Sequence, residues 1–149
     1  MFKRLFILGS IVFLAGCGGM KETETSLERK PKVITTVTTG SPTYTPGDKV
    51  ELLLTVTNHD VAEKRLFLKS KHQYIFEIYN YKGIKVWSSG EMGGRLEVSE
   101  FYLPALDERS FRESWSAEGN LGEYSLIGYI PVADNLKGYR DSTTFHIVD

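Results

Sequence analysis

Residues 73–89 read Gln73-Tyr74-Ile75-Phe76-Glu77-Ile78-Tyr79-Asn80-Tyr81-Lys82-Gly83-Ile84-Lys85-Val86-Trp87-Ser88-Ser89. Tyr74, Phe76 and Ile78 fall on one face of an extended chain, with Glu77 and Tyr79 on the other. Asn80 to Gly83 has turn chemistry, with Gly83 placed for a positive φ, and Ile84 to Trp87 returns. This is a β-hairpin signature. Two aromatic-rich strands are not stable alone, so other segments must cover them. Placed at the centre of the fold, Trp87 is expected in the core with Phe76, Trp115 and Tyr124.

Outward from the hairpin, period-2 alternation persists. Val33 to Thr39 is rich in β-branched residues. Tyr44-Thr45-Pro46-Gly47 is a turn, with Pro46 fixing φ and Gly47 supplying a positive one. Val50, Leu52, Leu54 and Val56 alternate with Glu51, Leu53, Thr55 and Thr57 up to Asn58. In Arg65 to Ser70, Leu66 and Leu68 face one way and Phe67 the other. Leu96, Val98 and Tyr102 mark a weaker strand. Phe111 and Trp115 mark the next, and Tyr124, Leu126, Gly128 and Ile130 another. Thr143 to Val148 closes the chain after a polar loop over Pro131 to Asp141. Turn signals every ~8–12 residues predict an all-β fold, an antiparallel β-sandwich of eight or nine short strands. Gly122-Glu123-Tyr124 resembles the corner tyrosine of immunoglobulin-like domains, whose phenol bonds backward to the chain.

The amino terminus reads as an address. Met1-Phe2-Lys3-Arg4 is basic, and Leu5 to Ala15 is apolar but far shorter than the ~20 residues of a membrane span. Leu14-Ala15-Gly16-Cys17 resembles the bacterial lipoprotein box, which implies cleavage after residue 16 and lipidation of Cys17. Residues 1–16 are then the signal peptide and 17–31 the lipidated cysteine with a polar, flexible tether averaging ~20 Å in span. Residues 32–149 form the folded domain. Several acyl chains give stable anchoring to a membrane. The resemblance implies an extracytoplasmic, lipid-anchored protein, on the outer membrane of a diderm cell or the cell membrane of a monoderm one. Cys17 is the only cysteine among 149 residues, so no internal disulfide can form.

The formal net charge of −1 gives no basic excess for a nucleic-acid partner. His59, His72 and His146 lack metal-ligand spacing. Gly90, Gly93 and Gly94 lack the ending of a phosphate loop. Asp134, Asn135 and Asp141 read as solvated loop residues, and Glu77 and Glu97 as exposed strand residues. No catalytic constellation is visible, so an enzyme, a bound metal and a small-molecule cofactor are not expected.

Tyr44, Pro46-Gly47, the Val50–Val56 strand ending in Asn58, Tyr74-x-Phe76-x-Ile78, Gly83, Val86-Trp87-Ser88, Phe111 with Trp115, and Gly122-x-Tyr124 occur in this order. Together they resemble the BsuPI family, named after an intracellular proteinase inhibitor of bacilli. Ala105-Leu106-Asp107-Glu108 stands where that family commonly has a Pro-Gly turn. The resemblance implies a protein-binding module, with a protease as a candidate partner. Ser88 to Arg95 and Val132 to Asp141 are the longest polar loops, so Met92, Arg95, Tyr139 and Arg140 are the candidate contact residues. The alternative is a structural or assembly component of the cell envelope that docks to another envelope protein without inhibiting a protease.

Overall fold

In the computed structural model, the described residues are 33–91, 99–118, 120–132 and 139–149. Residues 1–31, read above as a signal peptide, Cys17 and a tether, lie outside them. Ten strands form among the described residues: β1 (Val33–Thr39), β2 (Thr43–Tyr44), β3 (Lys49–Asn58), β4 (Lys64–Leu68), β5 (Ile75–Asn80), β6 (Lys85–Ser88), β7 (Ser99–Leu103), β8 (Glu108–Ser116), β9 (Gly122–Tyr129) and β10 (Arg140–Ile147). The fold is the expected β-sandwich. The additional strand is β2, where the sequence shows only a turn.

One sheet has the order β1-β3-β8, the facing sheet β2-β10-β9-β5-β6, and a third pairs β4 with β7. Pairing is antiparallel except between β2 and β10, where His146 and Ile147 run parallel to Thr43 and Tyr44. The chain thus changes sheets between β1 and β2. Val50, Leu52, Leu54 and Val56 form the inner face of β3, as their alternation requires. They pack with Phe76, Ile78, Leu126, Phe145 and Ile147 from the other sheet. The sheets approach closely at Gly128, where a Cβ would lie 2.7 Å from Val37 Cγ2 and 3.2 Å from the Phe76 ring. Only a residue without a side chain fits there. A further bond joins the sheets, since the Val37 amide donates to the Asp141 carboxylate at 2.9 Å.

The turns follow their local chemistry. Gly83 has φ 72°, its amide donates to Asn80 O at 2.8 Å, and Asn80 Oδ1 accepts from Lys82 and Ile84 at 3.0 Å each. Asp48 N donates to Thr45 O across Pro46-Gly47. The Tyr124 phenol donates to Asn120 O at 2.8 Å, which is the corner-tyrosine bond.

Several expectations need correcting. The β5–β6 hairpin is not the centre of its sheet. That place belongs to β9, and β6 is an edge strand. Trp87 is accordingly half-buried against the core, while Ile84 and Val86 are exposed. Trp115 is the buried tryptophan, 8% exposed and packed on Tyr124 and Phe145. In β7 the core residues are Phe101 and Leu103, and Tyr102 points outward. Pairing Leu66 with Phe101 fixes that phase. The last strand begins at Arg140 rather than Thr143, which shortens the preceding loop.

A candidate binding end of the sandwich

Among the described residues, one end of the sandwich carries the turns at Thr45–Asp48 and Asn80–Gly83, the crossing from β1 to β2 and the corner before Tyr124. The other carries the long connections, and it is built around two buried polar residues. Asn58, the last residue of β3, is fully buried. Its Nδ2 donates to Ala62 O at 2.9 Å and to Pro104 O at 2.8 Å, and its Oδ1 accepts from Asp60 N at 3.0 Å. Its own amide donates to Asp107 O at 2.8 Å. A single amide side chain therefore fixes the chain leaving β3 and the chain entering β8.

Ser70 is the second. Its hydroxyl donates to Glu91 O and accepts from His72 N, each at 3.1 Å, and its carbonyl accepts from Ser99 Oγ at 2.9 Å. Beside it, Lys69 N donates to Pro131 O at 2.8 Å and Leu68 bridges to Val132. The root of the Ser88–Arg95 loop and the root of the Val132–Asp141 loop are thus both tied to residues 68–70. The pair β4–β7 runs from the Asn58 corner to the Ser70 corner and closes this end with Phe101 and Leu103, which are fully buried.

Of the expected contact residues, Met92 and Arg95 lie outside the described residues, as do Glu97, Asp134 and Asn135. Tyr139 and Arg140 are neighbours in sequence but part company in space. Tyr139 is half-buried against the core, and burial raises its phenol pKa. Its carbonyl accepts from Ile130 N at 2.9 Å. It is a support for the loop rather than a loop tip. Arg140 is exposed and opposes Tyr129 on the outer face of the larger sheet. Asp141, expected in a solvated loop, belongs to β10, where it holds β1.

Glu77 also departs from expectation. Its side chain is only 14% exposed and accepts bonds from Tyr79 Oη at 2.9 Å, Lys85 Nζ at 3.1 Å and Tyr129 Oη at 3.4 Å. Burial, with the Glu77 carboxylate adding to it, pushes the Tyr129 phenol up to about 12. The Tyr79 phenol is raised for the same two reasons. Both phenols therefore remain donors across the physiological range. Strand alternation places these residues on one face, but it could not show that the face is partly covered. Ile75, buried on the same face opposite Tyr129, is the sequence signal that was available.

A shallow polar groove of about 480 Å³ lies on the outer face of the smaller sheet, lined by residues including Thr38, Lys49, Glu51, Leu53, Arg112 and Ser114. It was not foreseen, because outward strand residues read as solvated. Among the described residues no group of three His, Cys, Asp or Glu side chains is placed to hold a metal ion.

No family model matches the chain. No curated protein matches it either. Solved structures share its fold. It is similar to Spo0M, a sporulation control protein from Bacillus subtilis, with TM-score 0.53 and 11% identity over 78% of this chain and 48% of that one. It is similar to the C-terminal domain of wzt, with TM-score 0.53 and 15% identity over 80% of this chain and 75% of that one. A cycloisomaltooligosaccharide glucanotransferase from Paenibacillus sp. is also similar, with TM-score 0.52 and 13% identity over 76% of this chain and 13% of the enzyme. The chain spans about half of the Spo0M chain and a small part of the glucanotransferase. At such identities the likeness concerns the fold alone.

Proposed function

We propose that this chain is a lipid-anchored, extracytoplasmic protein whose sandwich is a protein-binding module, not an enzyme. Proteinase inhibition is the activity that the BsuPI resemblance suggests for it. The supporting observation is the clasp at Ser70, which gathers the roots of both long polar loops at one rigid end. Contact loops held at fixed roots lose less entropy on binding than free ones. An inhibitor needs that property, because a mobile loop is cleaved rather than held.

The purified mature domain should slow subtilisin at near-stoichiometric ratio and stay intact in the mixture. Digestion of the loops with no loss of protease activity removes inhibition from the proposal. The anchor has its own test. Labelled palmitate should be incorporated by the wild-type chain and not by Cys17→Ala, which should also leave the membrane fraction.

A second reading, docking to another envelope protein, draws on a different feature. Tyr81, Ile84 and Val86 are exposed together at the hairpin tip and the β6 edge, and the Tyr81 ring lies against Gly122. Apolar side chains grouped at a sheet edge suit association. Failure to inhibit, combined with stable complexes lost on Ile84→Ser, would favour it.

A further inference from the structure

The place where the chain enters the sandwich has a bearing on where its partner must be. Val33, the first residue of β1, opposes Asn58, the last residue of β3. Asn58 belongs to the end closed by β4 and β7. Strand β1 also runs in the same direction as β10, to which it is stitched by the bond from Val37 to Asp141, one residue from the start of β10. The preceding chain therefore leaves from the same end as both long loops. The tight turns and the carboxyl-terminal residues lie at the opposite end.

We infer that the binding end faces the membrane, and that its partner is the extracytoplasmic part of a protein embedded in that same membrane. The inference rests on the lipid-anchored reading above. Fifteen residues lie between Cys17 and Val33. Fully extended they reach no more than ~55 Å, and as a coil they average ~20 Å. The sandwich itself is about 33 Å long, the length of the ten residues of β3. A domain hung from one end of its first strand holds that end near the lipid. Its far end stands a full strand length further out. A partner free in the surrounding medium would meet the turn end first. A partner rooted in the bilayer meets Lys69, Lys71, Glu91 and Arg140, which are exposed around the loop roots.

A photo-crosslinking phenylalanine analogue in place of Lys71 or of Lys82 distinguishes the two ends. Both positions are exposed, in a bend and a turn respectively. The full-length chain is used, in membranes of the cell that makes it. Irradiation should join position 71 to a protein that resists carbonate extraction, with no such product from position 82. Products from position 82 alone overturn the inference, and so do products from position 71 confined to lipid or to soluble proteins. Fractionation of the wild-type and Cys17→Ala chains is run beside it. An anchored wild-type chain with the wrong crosslinks sinks only the orientation, whereas an unacylated, soluble wild-type chain sinks the anchored reading and the inference with it.

Discussion

The two ends of the sandwich are held in different ways. At the turn end the distant bonds run between backbones, as from Gly47 to Ala117 and from Val148 to Tyr44, and the side-chain hydrogen bonds are local: Lys82 and Ile84 to Asn80, Thr45 to Asp48, Tyr124 to Asn120. At the loop end side-chain hydrogen bonds also join residues far apart in sequence: Asn58 to Pro104, Ser70 to Glu91, Ser99 to Ser70. A local bond costs little chain entropy and fails by itself. A distant bond closes a long loop, so its loss frees everything it pinned. The loop end is therefore the one where a single polar side chain controls several connections, and it is the end offered here for recognition.

The largest expected effect breaks that end. Asn58→Ala would leave the carbonyls of Ala62 and Pro104 and the buried amide of Asp60 without their partner, and would empty a fully buried position. The cost should be about 3 kcal/mol, read as a lower urea midpoint. Hydrogen exchange should quicken in residues 59–63 and 104–107 before the body of β9. A loss confined to a few tenths of a kcal/mol would mean that the two ends do not differ in this way.

Tyr124→Phe probes the turn end. It removes one bond to Asn120, a residue exposed to water, so about 1 kcal/mol should be lost. The ring stays stacked on Phe145, and the loop end should keep its exchange protection. Spread of the effect to residues 68–72 would erase the contrast.

The smallest effect runs the other way. Leu106 has φ 54° and is exposed at the turn into β8, where its amide donates to Asp60 O. A leucine in this left-handed conformation is strained, and a glycine is not. Leu106→Gly should raise stability by about 0.5–1 kcal/mol in the same urea measurement, net of the greater freedom of glycine when unfolded. A drop in stability would show that the leucine side chain contributes packing that outweighs its backbone strain.

The same contrast explains what could be read from the sequence. Alternation in Val50–Val56 and in Tyr124–Ile130, the positive φ at Gly83 and the corner at Tyr124 depend on residues within a few positions of each other. Each is visible in the chain as written. The placement of β6 at an edge, and with it the half-burial of Trp87, depends on which strands pair. Composition does not carry that order. The phase of β7 is not legible for the same reason, because Tyr102 and Phe101 are both plausible core residues until Leu66 is opposite one of them. The clasp at Ser70 was invisible, since a serine between two lysines reads as surface. Of the candidate contacts, Arg140 is exposed as foreseen, while Tyr139 is absorbed into the support beneath the loop.

The change of sheets between β1 and β2 has a consequence in time. Strand β2 needs His146 and Ile147 as its neighbours, and these lie 103 residues further along the chain than Thr43 and Tyr44. A chain delivered amino terminus first can pair β1 with β3 early, yet it cannot close the larger sheet until β10 arrives. Contacts between such distant segments set the folding rate of all-β domains. Until then the edge of β10's place in the sheet stands open, and any partner or chaperone present at release acts on a half-finished sandwich rather than on the folded one.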